Sequence, residues 1–154
     1  MKKLLSLLVA FTLLFISCEE EEEEVNTSLE GTWLLTSKTE NGEDIFNSCN
    51  ENDIVIFDNG TFTSKYYLYT TTTNEMGEIV AYECSDEQVI IVGNYIINGN
   101  SITLRNDYLN DKIFTYSISG NILEKTFNES YTETLNDNET REVEIIKIFT
   151  YIKQ

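Results

Sequence analysis

Between residues 28 and 154 no apolar stripe recurs at helical spacing. The chain instead runs in short stretches of Val, Ile, Thr, Tyr and Phe, broken by Asp58-Asn59-Gly60, Asn98-Gly99-Asn100 and Ser119-Gly120-Asn121. Asn, Asp and Gly accept the left-handed conformations that tight hairpins need, and β-branched and aromatic residues suit a pleated surface. Proline is absent from all 154 residues, so every turn rests on that Asn, Asp and Gly chemistry. The pattern predicts strands over 31–38, 53–57, 61–69, 78–84, 89–92, 94–97, 101–105, 112–118, 121–127 and 142–152. Within the third of these, Phe62, Ser64, Tyr66 and Leu68 alternate with Thr61, Thr63, Lys65 and Tyr67. The last stretch is apolar on both faces, with Val143, Ile145, Phe149 and Tyr151 opposite Ile146, Ile148 and Ile152. Such a strand suits a barrel seam or an oligomer contact. Short antiparallel strands in this number make a barrel or a sandwich, and closure would protect the edges of the Tyr- and Thr-rich stretch 66–73.

Charge and missing residue types narrow the function. A net charge of −17, from 10 basic and 27 acidic residues, repels nucleic acid phosphates and anionic lipid headgroups, so no nucleic-acid partner is expected. The chain has no histidine, which removes Ser-His and Cys-His nucleophiles and the usual zinc and haem ligand sets. It also lacks a Gly-rich phosphate loop, a Gly-x-Ser-x-Gly elbow and EF-hand spacing. Paired glycosidase carboxylates can be drawn almost anywhere among 27 acids, so they carry no specificity. Asp53, Asp58, Asn50, Asn52 and Asn59 are the residues that would hold calcium, but turn chemistry explains them. The expectation is a protein that is not an enzyme and needs no metal or cofactor.

The N-terminus carries an address. Lys2 and Lys3 precede a mostly apolar stretch, 4–16, shorter than the roughly 20 residues a membrane-spanning helix needs. It ends in Phe15-Ile16-Ser17-Cys18, which resembles a bacterial lipobox. The resemblance implies cleavage after Ser17 and a diacylglycerol lipid on Cys18; the other reading is an uncleaved anchor that happens to end in Cys. The organisation expected is a signal peptide over 1–17, a lipidated Cys with an acidic tether over 18–27, and one β domain over 28–154. The run Glu19 to Glu24 extends by self-repulsion and holds the domain off the bilayer. Acids directly after a lipidated Cys resemble the surface-export signal of Bacteroidota lipoproteins, which implies anchoring in the outer membrane and exposure at the cell surface. In enterobacterial sorting the same feature implies inner-membrane retention.

With Cys18 assigned to the lipid, Cys49 and Cys84 remain, and an even remainder in an exported protein argues for a disulfide. Closing their 35-residue separation would stabilise the fold by about 3–4 kcal/mol on the chain-entropy model. Free thiols and a redox pair are the competing readings, the latter without a Cys-x-x-Cys motif.

Leu29-Glu30-Gly31-Thr32-Trp33 is similar to the Gly-x-Trp signature that opens the first strand of lipocalins. In that family the Trp packs across the closed base of a barrel and the Gly permits a tight turn into the strand, roles implied here for Trp33 and Gly31. The run from Cys49 to Phe62, then Cys84, Gly93-Asn94-Tyr95, Asn100 to Leu104 and Gly120 to Leu123, resembles lipocalin-like lipoprotein domains of the Bacteroidota. The resemblance implies an all-β, small antiparallel up-and-down barrel of about eight strands that binds a small apolar or amphipathic ligand. The Thr-Asp-Tyr and late-Arg motifs of the animal transport lipocalins are missing, so their ligands are not carried over. Phe62, Tyr66, Tyr95 and Tyr116 are the candidates to line a ligand cavity, or else fill the barrel as core. Tyr66-Tyr67-Leu68-Tyr69 has a further reading as a surface that stacks sugar rings. The alternative function is an envelope interaction module with a filled barrel, contacting a protein or glycan through its loops or last strand.

Overall fold

Nine antiparallel strands succeed one another around one sheet in the computed structural model, which describes residues 28–136 and 139–154. The leader, Cys18 and the tether lie outside the described residues. The strands are β1 (Gly31–Glu40), β2 (Glu43–Asp44), β3 (Ile54–Asp58), β4 (Thr61–Thr73), β5 (Ile79–Asn98), β6 (Ser101–Asn106), β7 (Leu109–Ser119), β8 (Ile122–Asn136) and β9 (Glu139–Lys153). The two-residue β2 hangs on the end of β1, while β1 also pairs with β9 and closes the other eight into an up-and-down barrel. β9 is thus the seam that its two apolar faces suggested. It lies between β8 and β1, with Phe149 opposite Lys125 on one side and Lys38 on the other.

The barrel has distinct ends. At the base are the tight turns at 58–60, 98–100 and 119–121, together with the chain's entry at Leu29 and its exit at Gln154. Gly31 enters β1 at φ +126°, a conformation L side chains rarely adopt, and the Trp33 that follows is fully buried. Its indole Nε1 donates to the Leu29 carbonyl at 2.7 Å, and the Lys153 ammonium stands 5.3 Å from its ring centroid. Leu35, Val55, Phe57, Phe62, Ile102, Leu123 and Tyr151 complete the core around it. All face inward by strand alternation, which is why the core is a filled plug at the base.

At the opposite end two features differ from expectation. The stretches 78–84, 89–92 and 94–97 form one strand of 20 residues, β5. Ser85, Asp86 and Glu87 do not end it because they form a bulge in β5 opposite Leu68, where the register passes from Tyr67–Gln88 to Tyr69–Cys84. Opposite the bulge the burial expected from the alternation in β4 is lost: Phe62 is buried while Leu68 is 57% exposed. Second, β8 and β9 continue to Asn136 and from Glu139, through a stretch that carries no period-2 signal. Both faces of that hairpin are wet, so pairing proceeds without a buried side to mark it in the sequence.

Cys49 and Cys84 form a disulfide, with Cα atoms 5.3 Å apart. It ties the 3₁₀ turn Ser48–Asn50 to β5 just before the bulge.

Candidate functional site

Above the plug the barrel opens. A cavity of about 440 Å³ lies between β1, β4 and β9, walled by Leu35, Ser64, Tyr66, Phe149 and Tyr151 and edged by Lys38 and Asp53. A second space of about 450 Å³ at the mouth shares Lys38, Tyr69 and Phe149 with it and reaches Lys112, Phe114, Phe127, Glu129 and Lys147. A smaller one of about 110 Å³ adjoins through Phe114, Lys112 and Ser64 and runs toward Phe62, Ile91 and Leu104. The first two each lie within the range of small-molecule sites.

Asp53 shapes the near wall. Its carboxylate accepts from Asn50 Nδ2 at 2.9 Å and from the Tyr67 amide at 3.2 Å, while its carbonyl accepts from the Leu35 amide at 2.8 Å. One residue therefore holds the loop before β3 against both β1 and β4. Burial raises the Asp53 pKa, opposed by those two hydrogen bonds and by Lys38. Burial in turn lowers the Lys38 pKa, opposed chiefly by Asp53. At the mouth, Glu129 lies 3.4 Å from Lys112 and 3.3 Å from Lys147, and Lys147 reaches Glu40 at 3.5 Å. Desolvation works against the Glu129 charge, but Lys147 and Lys112 outweigh it and hold the carboxyl below its ordinary value.

Behind the wall formed by Phe149 and Tyr151 lies a charge without such a partner. Lys125 on β8 is only 5% exposed, and its ammonium lies 4.6 Å from the Tyr151 ring, 5.0 Å from Phe114 and 6.0 Å from Phe149. Among the described residues it makes no hydrogen bond or ion pair. The rings offer their negative faces, which stabilise a cation in part. Burial still pushes the pKa down from 10.5 to about 8. Tyr151 is held above its ordinary value by burial and then by Asp53, so it faces Lys125 as a neutral phenol.

The aromatic candidates separate. Tyr66 walls the cavity of about 440 Å³ and Phe62 the one of about 110 Å³. Tyr95 stacks edge-on against Phe57, with centroids 5.2 Å apart, and its hydroxyl donates to Glu30 near the base. Tyr116 packs partly buried against the core and borders a shallow groove with Asn100 and Glu124. Tyr66, Tyr67, Leu68 and Tyr69 all edge the cavity of about 440 Å³, where β4 runs past the bulge in β5. Gly31 and Trp33 stand at the base. Asp53 and Asn50 bond to each other, and no group of three metal-ligating side chains occurs among the described residues.

The lysines escaped the sequence reading. The signal for Lys125 was available: Leu123, Lys125 and Phe127 occupy one face of a hairpin strand, and an inward Leu and Phe make the residue between them inward too. The family model described as a lipocalin-like domain matches residues 29–148. No curated protein matches the chain, and no solved structure does.

Proposed function

Because the chain belongs to the lipocalin-like domain family, we propose that its barrel binds a small amphipathic molecule in the cavity above the Trp33 plug, without catalysing a reaction. The carrying observation is the space of about 440 Å³ whose walls are apolar and aromatic on one side and polar at Lys38, Asp53 and Ser64. That mixture suits a ligand with an apolar body and a polar end.

The sequence supports an envelope setting for this binding. Phe15-Ile16-Ser17-Cys18 supplies a lipobox-like end to the leader, so Cys18 carries the lipid that anchors the protein in the outer membrane. The acidic run behind it acts as a tether and as a surface-export signal of the Bacteroidota type. Because the chain enters β1 at the base, a tether there leaves the mouth at the end farther from the anchor.

Native mass spectrometry of protein purified from its own membranes tests the binding. A bound adduct of a few hundred daltons, lost on collisional activation and absent after delipidation, is the expected result. A clean unliganded mass under conditions that preserve known weak lipid complexes overturns it. For the anchor, Cys18→Ala should abolish acylation and leave the barrel folded. Continued recovery as a cleaved, acylated species refutes that assignment.

A further inference from the structure

The chain's charge is reversed inside the barrel. Overall 10 basic residues face 27 acidic ones, yet the walls of the two larger cavities carry Lys38, Lys65, Lys112 and Lys147 against only Asp53, Glu40 and Glu129. Those three carboxylates stand beside the wall lysines: Glu129 and Glu40 bind Lys112 and Lys147, and Asp53 acts on Lys38. None reaches Lys125. A buried ammonium that faces three rings and has, among the described residues, no hydrogen-bond or ion-pair partner is an incomplete arrangement, since a buried charge is ordinarily paired.

We propose that Lys125 is the head-group site of the barrel, and that the ligand is a single-chain amphiphile bearing a carboxylate or a like anion. The anion supplies the missing partner at Lys125, and the chain lies along Phe149, Tyr151 and Leu35 toward the mouth. The inference rests on the cavity reading above and specifies its ligand. Phe149 and Tyr151 both hold the ammonium and line the cavity of about 440 Å³, so the charge lies directly behind its wall. A charge-assisted bond formed there, away from water, is stronger than one made at the exposed mouth lysines. An uncharged alcohol of the same length would leave Lys125 as it is in the empty barrel.

The groups facing Lys125 set the pH response. Tyr151 on β9 is the titratable neighbour and stays protonated. Lys112 on β7, Glu129 farther along β8, Lys147 on β9, Lys38 and Glu40 on β1, and Asp53 before β3 stand toward the mouth. With the Lys125 pKa near 8, anion binding weakens as pH rises through that value, whereas alcohol binding does not.

Calorimetric titration of the purified full-length protein with decanoate and with 1-decanol tests this. At pH 7 decanoate should bind at least about tenfold tighter, a difference of roughly 1.4 kcal/mol. Lys125→Met should erase that preference while changing decanol affinity by less than about threefold, within the ~0.6 kcal/mol of RT. By pH 9.5 the wild-type preference should also shrink. Decanol binding as tightly as decanoate overturns the head-group assignment and leaves the cavity reading standing. An undiminished preference in Lys125→Met moves the anion to the mouth lysines and overturns it as well, and binding of neither probe removes both readings. A measurement on the wild-type chain avoids any dependence on the variant's folding. The nuclear magnetic resonance titration of the Lys125 Cε should move its midpoint upward with decanoate bound, and an unmoved midpoint contradicts the proposal.

Discussion

The Phe62 ring occupies the place where a side chain on Gly93 would stand. The two are cross-strand partners on β4 and β5, and a Cβ built at 93 would meet Phe62 Cε1 at 2.7 Å and the Arg105 carbonyl oxygen at 2.0 Å. The ring could turn away, but the carbonyl belongs to β6 and moves only with the sheet. Gly93→Ala should therefore destabilise the barrel by about 3 kcal/mol or more, at the upper end of overpacking substitutions. A urea midpoint equal to that of the wild type would show that the β5–β6 contact relaxes freely.

Trp33 makes a different kind of contact, a buried hydrogen bond to the Leu29 carbonyl. Trp33→Phe keeps a ring across the base but leaves that carbonyl unpaired, which costs about 1–3 kcal/mol. Trp33 is the only tryptophan, so its fluorescence in the wild type reports the base directly. Its emission should be blue-shifted and should move to the red in the same transition that circular dichroism records. A red-shifted native spectrum would contradict the burial.

The disulfide encloses a loop with a sequence separation of 35 residues. Reduction, or the pair Cys49→Ala and Cys84→Ala, should lower stability by about 3–4 kcal/mol on the chain-entropy model. The loss should appear as a lower denaturant midpoint, with the wild type in reductant matching the double variant. Equal midpoints with and without reductant would mean the bridge constrains nothing the rest of the fold does not.

Lys125 makes stability depend on pH in a direction opposite to ordinary ion pairs. Its pKa is about 8 in the folded chain against an ordinary 10.5, so below pH 8 both states hold the proton and the folded state bears the whole penalty. That penalty is about 3 kcal/mol at 1.36 kcal/mol per pH unit. Between those two values the unfolded chain binds more protons, and stability rises with pH. Lys125→Met should thus stabilise the ligand-free protein at pH 7 by up to about 3 kcal/mol. The advantage should narrow by pH 9.5. A gap between wild type and variant that stays flat from pH 6 to 9.5 would place the Lys125 charge in water.

Much of the barrel is legible along the chain. The Asn-Gly-type turns at 58–60, 98–100 and 119–121 and the alternation of β4 predict hairpins because each is a contact between residues close in sequence. Ser85-Asp86-Glu87 misled for the same reason: a polar break looks like a turn until the partner strand runs on past it and the break becomes a bulge opposite Leu68. The open hairpin of β8 and β9 had no signal because neither face is buried.

The amino-acid sequence by itself determined an antiparallel β domain and where its hairpins turn, since turn chemistry and side-chain period are local properties; the up-and-down order and the residues at the base came from the lipocalin resemblance, and the cysteine pair from its even number. Tertiary structure alone decided where β1 meets β9, that the barrel is full below and open above, and that Lys125 stands among Phe114, Phe149 and Tyr151 without a carboxylate partner among the described residues. Phe114 stands on β7 and the other two rings on β9, the strands that flank Lys125 on β8. An unpartnered charge is defined by what surrounds it, and no spacing within one strand records that.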